Sequence, residues 1–293
     1  MEPQSTPADG ADHTHGHGRF LPSSGARALL AVSRSTFLGR GKARRVMGQI
    51  FGQLHHGPVD TELWGVPVRL YPDGNVSEKK ALLCPAQFNR AELKAVAAHM
   101  SVPGSVFVDI GANAGLFSLF AARHASAGVT IVAFEPHPGL FERMSFNLRP
   151  EALGRAAGEV DIRLKNLALG ASKGTVLLHS DADALGSGHI VEQSTAANSE
   201  FSVPMQSLQR ALGGEKVDRI SMMKIDVEGY EDQVLQPFFE NASEALWPRK
   251  LIIEHLSRLD WNWDCIGECM LRGYTVTQLS RSNSLLSFGG GQR

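Results

Sequence analysis

"VFVDIGANAGLFSLFAARHA", residues 106–125, decides the fold. Val106 to Ile110 reads as a strand that runs out at Gly111, and beyond Gly115 the chain passes straight into an apolar, helix-like run. Strand, glycine turn and helix in that order present a cofactor loop at the carboxyl end of a parallel strand.

The same alternation extends outward. "TIVAFEP" is a strand and 138–148 a helix; "DIRLKNLAL" and "GTVLLHS" are extended pieces; "ISMMKIDV" is a strand and 229–240 a helix. "RKLIIEHL" is a strand and 262–272 a helix, and "YTVTQLS" with "SLLSFG" closes the chain as a hairpin. This pattern predicts an α/β protein with a doubly wound, mostly parallel sheet and helices on both faces. Residues 181–202, rich in Ser, Gly and Ala, read as the single long loop inside it. Upstream, residues 1–25 ("HTHGHG" among them) read as a disordered hydrophilic tail. Residues 27–56 read as a helical segment whose "RGKARRV" is a solvated basic face, of the kind that can also touch anionic lipid or a partner. "LWGVPVRLY" and "KKALLC" are expected to form a hairpin turning at Pro72–Asn75, and "NRAELKAVAAHM" a helix with Asn89 at its N-cap. The expected organisation is a tail over 1–25, a helical and hairpin extension over 26–100, and the cofactor-binding domain over 101–293.

Composition narrows the function. A net charge of −1 offers no global attraction for nucleic acid. Three cysteines, Cys84, Cys265 and Cys269, make no C-x-x-C pair, which argues against a zinc knuckle or disulfide framework. With no signal-like leader and no apolar run of about 20 residues, a cytoplasmic protein without a transmembrane segment is expected.

The loop is not a pyrophosphate cradle. The dinucleotide fingerprint G-x-G-x-x-G would need glycine where Asn113 and Leu116 stand, and no Gly-Lys-Ser/Thr follows for a Walker loop. Asp109, two residues before Gly111, would repel a phosphate but suits a cation. S-adenosylmethionine carries an ammonium and a sulfonium and no phosphate. Glu135, ending "VAFEP", can accept hydrogen bonds from both ribose hydroxyls. Asp109, Gly111, Asn113, Gly115 and Glu135 are therefore the expected cofactor-binding residues.

"VDIGANAGLFS", "FEPHP", "MKIDVEGYE" and "LIIEH" together resemble the FkbM-family methyltransferases over roughly residues 60–285. Asn166 to Gly170 and "VPMQSL" are similar to the family too, and Asn166 joins the expected cofactor-binding set on that ground. Gln209 and "QPFF" depart from its pattern. The resemblance implies a seven-stranded Rossmann-like methyltransferase fold. It also implies S-adenosylmethionine-dependent methylation of a hydroxyl on a sugar, glycan or secondary metabolite.

An alcohol must lose its proton during or just after attack, so a base belongs at the carboxyl end of a central strand. Asp226 is the first candidate, with Glu254 and His255 on the next strand. Asp226 can alternatively be a helix cap, and Glu228 and Glu231 can simply favour a helix N-terminus. Those three acids could also hold a divalent cation, but no metal site is assigned. His179, Asp181, Asp183 and His189 flank the long loop and are candidates for acceptor contact. The competing functions are an NAD-dependent reductase, disfavoured by Asn113, and a non-catalytic cofactor-binding protein. Nucleic-acid methylation is disfavoured by "DVEG" where base-modifying enzymes often carry Asn/Asp-Pro-Pro-Tyr.

Overall fold

The computed structural model describes residues 14–154, 159–180, 189–191 and 199–289. The chain opens with α1 (Ser24–Ser35) and α2 (Gly41–Leu54), the hairpin β1 (Val59–Leu63) and β2 (Val66–Leu70), then α3 (Val76–Leu83) and α4 (Arg90–Met100). The alternating part follows: β3 (Val106–Ile110), α5 (Leu116–His124), β4 (Val129–Phe134), α6 (Pro138–Asn147), α7 (Pro150–Leu153) and β5 (Val160–Lys165). After β6 (Ala168–Leu169), β7 (Gly174–Ser180), β8 (His189–Val191) and β9 (Ser199–Gln206) come α8 (Leu208–Gly214), β10 (Met222–Ile225) and α9 (Glu231–Asn241). The chain closes with β11 (Lys250–Glu254), α10 (Cys265–Leu271), β12 (Tyr274–Gln278) and β13 (Asn283–Phe288).

Seven strands form the central sheet in the order β12-β13-β11-β10-β3-β4-β5. Neighbours from β11 to β5 run parallel, and β13 is antiparallel to both β11 and β12. The expected doubly wound α/β fold is thus present. Every residue of β3 and β10 is buried, as strands covered on both faces require. Period-two alternation splits β3. Phe107 joins the apolar cluster on one face, while Val106, Val108 and Ile110 join the cluster under α8, α9 and α10 on the other. From β3 the chain winds outward through β4 and β5, then returns to β10 on the opposite side of β3. The strand order therefore reverses between β3 and β10, where a doubly wound sheet opens its crevice. A second sheet, β6-β9-β7-β8, stands beside it.

Several local expectations are corrected. The N-terminal hairpin turns at Trp64–Gly65, both with positive φ (53° and 82°), as a tight two-residue turn demands, and not at Pro72–Asn75. Asn75 instead caps α3, its side chain accepting from the N–H groups of Ser77 and Glu78, so "KKALLC" is helical. The helix expected over 27–56 is two helices. They break where Gly39 lies so close to the backbone that an added Cβ would stand 2.2 Å from the Ser33 carbonyl oxygen. "DIRLKNLAL" breaks at Asn166 into strands of different sheets, and residues 199–206, partly inside the expected long loop, are strand β9. The three cysteines are free and buried. Among the described residues, no helix is long and apolar enough to cross a membrane.

Of the tail expected over 1–25, residues 1–13 lie outside the described residues, and the rest is tied down. Asp60 on β1 accepts from the N–H groups of Gly18 (2.7 Å) and Phe20 (2.9 Å). It also accepts from Arg69 on β2, at 2.7 Å from Nε and 3.0 Å from Nη2. Arg69 donates further to the carbonyls of His15 and Gly16 and lies between the rings of Phe20 and Phe146. The extension shares its core with the sheet: Leu30, Phe51, Leu63 and Leu82 belong to one apolar cluster with Phe107, Ile131 and Met222.

The Asp60–Arg69 pair has no exposed side-chain surface, so removing one partner strands a buried charge. Asp60→Ala is expected to cost about 3–5 kcal/mol in urea unfolding. Burial alone would raise the Asp60 carboxyl, but hydrogen bonds from Arg69, Phe20 and Gly18 hold it below the usual carboxylate range. Its contribution is therefore complete above the unfolded value of about 3.9. It is lost as pH falls through the lower folded value, and the variant should show a shallower acid limb.

Candidate active site

The cleft opens at the carboxyl ends of β3, β4 and β10, where the topology places it. Its first wall is Gly111 to Asn113, the start of the turn that runs on to Gly115, which is itself outside the lining. Gly111 has φ +71°, and a Cβ there would lie 1.9 Å from the Asp226 carbonyl oxygen. Gly115 has φ +80°, and its Cβ would lie 2.8 Å from Cγ of Met144 on α6. Neighbouring chain thus leaves no room for a side chain at either glycine. Asn113 adopts φ 54°, a conformation asparagine tolerates better than most residues. Its N–H donates to Glu135 Oε2 at 2.7 Å, and its Oδ1 accepts from Ala114 N and from Asn75 Nδ2.

Beneath the turn lies an ammonium, Lys224, that is not among the residues expected from the sequence. Lys224 on β10 is paired in register with Asp109 on β3. Its Nζ donates to the Gly111 carbonyl at 2.8 Å and lies 3.5 Å from Asp226 Oδ2 and 3.8 Å from Asp109 Oδ1. Burial alone would lower this ammonium, but Asp226 and Asp109 offset that and hold it above the usual lysine range. Asp109 is fully buried, accepts from Ser118 Oγ at 2.7 Å, and is not among the cleft-lining residues. Burial pushes its carboxyl up against the pull of Lys224. Asp109 does meet a cation, as its position suggested, but that cation belongs to the chain itself. A lysine between Met223 and Ile225 in a strand otherwise buried on both faces was the available signal for a buried charge.

Glu135 and Asp226 line the cleft. Glu135 accepts through one oxygen from Asn113 N and through the other from His137 N. One lone pair on each oxygen is left for a ligand. Burial pushes its carboxyl up to about 7 despite those two bonds. Asn166 is not among the lining residues; its Nδ2 donates to the carbonyls of Glu135 and Pro136, so it holds the strand end that carries Glu135.

Asp226 keeps 38% of its side chain exposed, and Glu228 lines the cleft beside it. Glu231 points away: fully buried, it accepts from Val227 N and Trp261 Nε1, and so braces the loop after β10. Glu254 ends β11 and His255 follows it, both outside the cleft lining. Both Glu254 oxygens accept from Leu256 N. Burial pushes the Glu254 carboxyl up to about 7, and the charges of Asp226, Glu231 and Glu228 add to the rise. Nε2 of His255 is buried without a hydrogen-bond partner. Among the described residues, no three His, Cys, Asp or Glu side chains converge on a possible metal position. His179 and His189 are paired in register across β7 and β8, while Asp181 and Asp183 lie outside the described residues. The extension contributes Ser77, Phe88 and Asn89 to the lining, and β7 contributes Leu178. Asn89 holds the N-cap position of α4 but makes no side-chain capping bond.

Residues 109–264, more than half of the chain, match the Methyltransferase FkbM domain. The chain therefore belongs to the FkbM methyltransferase family. It is 28% identical over 212 residues to the 31-O-demethyl-FK506 methyltransferase FkbM of Streptomyces tacrolimicus, a match covering 63% of this chain and 77% of that protein. Among solved structures it is similar to a methyltransferase FkbM from Methylobacillus flagellatus KT, with 16% identity and a TM-score of 0.40. That match covers 63% of this chain and 44% of the other. It is also similar to an O-methyltransferase from Bacillus cereus in complex with SAH, with 14% identity, a TM-score of 0.38, and coverage of 68% and 81%.

The crowding at Gly111 can be separated from its backbone strain. Gly57 has a similar φ of +80° with nothing within 4 Å of an added Cβ. Gly57→Ala is expected to cost about 1–2 kcal/mol in urea unfolding, the strain of a left-handed residue alone. Gly111→Ala should cost clearly more, because the Asp226 carbonyl must also move. Equal costs for the two would refute the assignment of Gly111 to backbone crowding.

Proposed function

We propose that this FkbM-family chain binds S-adenosylmethionine in the cleft and transfers its methyl group to a hydroxyl oxygen. The acceptor is a small molecule or glycan: a sugar or a secondary metabolite. The charge of the lining carries the cofactor reading. The cleft presents three carboxylates, Glu135, Asp226 and Glu228, against one ammonium, Lys224. That balance favours a ligand with net positive charge and opposes a pyrophosphate. Apolar side chains such as Leu116, Phe134 and Leu140 supply the walls an adenosyl group needs. The free lone pairs of Glu135 suit two ribose hydroxyls, and Lys224 suits the carboxylate of the amino-acid tail. The Streptomyces relative, a 31-O-demethyl-FK506 methyltransferase, supports oxygen as the methylated atom. An acidic cleft supports a small-molecule or glycan acceptor over a nucleic acid.

When bound, the cofactor supplies a sulfonium-activated methyl group. The chain's part is to position and deprotonate the acceptor. Asp226 is the most exposed of the buried charge group, so its carboxylate orients the acceptor hydroxyl. Glu254, raised to about 7 beside it, has the proton affinity of a group able to take up the released proton near neutral pH. His255, next in sequence, shares that strand end.

Calorimetry with S-adenosylhomocysteine tests the cofactor reading. Binding is expected, with NAD failing to bind. If ionised Glu135 accepts the ribose hydroxyls, affinity should tighten as pH rises towards 7 and level off above it. The limiting slope is about tenfold per pH unit. Glu135→Gln should weaken binding and flatten that profile.

Asp226→Asn keeps the shape and removes the charge. Turnover in a methyl-transfer assay with an identified acceptor is expected to fall on the order of 10²-fold, with a much smaller change in S-adenosylhomocysteine affinity. A near wild-type rate would leave Asp226 with only its contact to Lys224.

A further inference from the structure

The first two helices fold onto the protein by one side and leave an unusual surface on the other. In α2, Met47, Gly48 and Phe51 face inward, and a Cβ on Gly48 would stand 3.3 Å from Leu83 of α3. Val46, Ile50 and Leu54 recur every fourth residue, so they form one stripe, and all three are exposed. The stripe reaches α1, since Leu54 lies 4.0 Å from where a Cβ on Gly25 would be. At the turn between the helices Phe37 is 73% exposed. With Leu21 and Val32, these 34 residues, 21–54, hold six of the fourteen exposed large hydrophobic side chains found among the described residues. The packing of the sheet does not require that concentration, because the inward faces of both helices already serve it.

Charge is concentrated in the same segment. Residues 21–54 carry Arg27, Arg34, Arg40, Lys42, Arg44 and Arg45 and no acidic residue, so the rest of the chain carries −7 against a total of −1. Arg40, Lys42 and Arg45 are exposed around the turn that presents Phe37. Exposed apolar side chains bordered by bases on a helix pair match the two signals that hold an interfacial helix at a lipid surface: apolar insertion and attraction to anionic headgroups.

We propose that the α1–α2 face docks this methyltransferase on an anionic membrane surface, with Phe37, Val46 and Ile50 entering the headgroup region and Arg40, Lys42 and Arg45 pairing with lipid phosphates. A second copy of the chain fits less well. A two-fold interface would set this basic surface against itself, where like charges oppose association. A nucleic acid would use the bases and leave the apolar stripe in water.

Sedimentation of the full chain with vesicles tests the proposal. Binding is expected to vesicles of phosphatidylcholine mixed with phosphatidylglycerol, and to be at least about tenfold weaker to phosphatidylcholine alone. The triple variant Arg40→Glu, Lys42→Glu, Arg45→Glu should lose about tenfold or more of the binding to anionic vesicles. Phe37→Ser with Val46→Ser should weaken it several-fold with all charges intact. Both variants alter exposed side chains, so melting temperature and S-adenosylhomocysteine binding should match the parent. No binding of the full chain to anionic vesicles overturns the proposal. So does unchanged binding of the Phe37/Val46 variant, which would mean charge attraction alone. A dimer in light scattering that Phe37→Ser dissolves would assign the face to a second copy instead.

Discussion

One buried ammonium organises the centre of this protein. Lys224 sits in the middle of a parallel sheet, where an isolated charge would be prohibitively costly. It is tolerated because the Gly111 carbonyl and two carboxylates surround it. Those partners come from β3, from the turn after it and from the end of β10, so solvating one charge fixes three pieces of backbone relative to one another. The Asp226 carbonyl closes from the other side against the face of Gly111 where a side chain would be. The cleft at the switch point is therefore shaped before any ligand arrives, the condition for binding without an added cost of ordering.

The N-terminal extension completes that shape from outside. Asn75, which caps α3, donates to Asn113 of the turn. Asn147 at the end of α6 accepts from the Arg69 N–H and donates to the carbonyls of Arg69 and Ala114, joining the hairpin and the turn through one side chain. Arg143 on α6 meets Glu78 on α3 at 2.8 Å with both side chains buried. Five hydrogen bonds thus join the extension, α6 and the turn; the four at Asn147 and Arg143 are buried, so each is worth more than its exposed counterpart.

Much of this was legible in the residues. Strand and helix alternation gave the sheet, because runs such as "VFVDI" and "LIIEH" leave little freedom of period. Glu135 and Asp226 were legible as cleft-lining carboxylates because each stands at the carboxyl end of a parallel strand, where such a fold opens its crevice. What escaped was set by contacts distant in sequence. Asp109 reads as ligand-facing until Lys224, 115 residues later, is brought beside it. Gly111 lines the cleft as expected, but the Asp226 carbonyl that also excludes a side chain there comes from 115 residues later. Asn166 looks like a binding residue until its amide is found clamping the Glu135 strand end. The turn at Trp64–Gly65 was missed for a different reason: Pro-Asp-Gly-Asn is the stronger turn signal on paper, yet its last residue caps a helix.

The separation between Gly111 and Lys224 has a consequence for synthesis. The carbonyl and the ammonium that bonds it are 113 residues apart. A ribosome adding about 5–20 residues per second needs roughly 6–23 s to deliver the second after the first. Throughout that interval the nascent chain holds the turn and the extension but lacks the charge that neutralises Asp109. The completed cleft is therefore a late event of translation, and slow codons or pauses between these two positions would prolong the time a nascent half-sheet stands with its β3 edge unpaired.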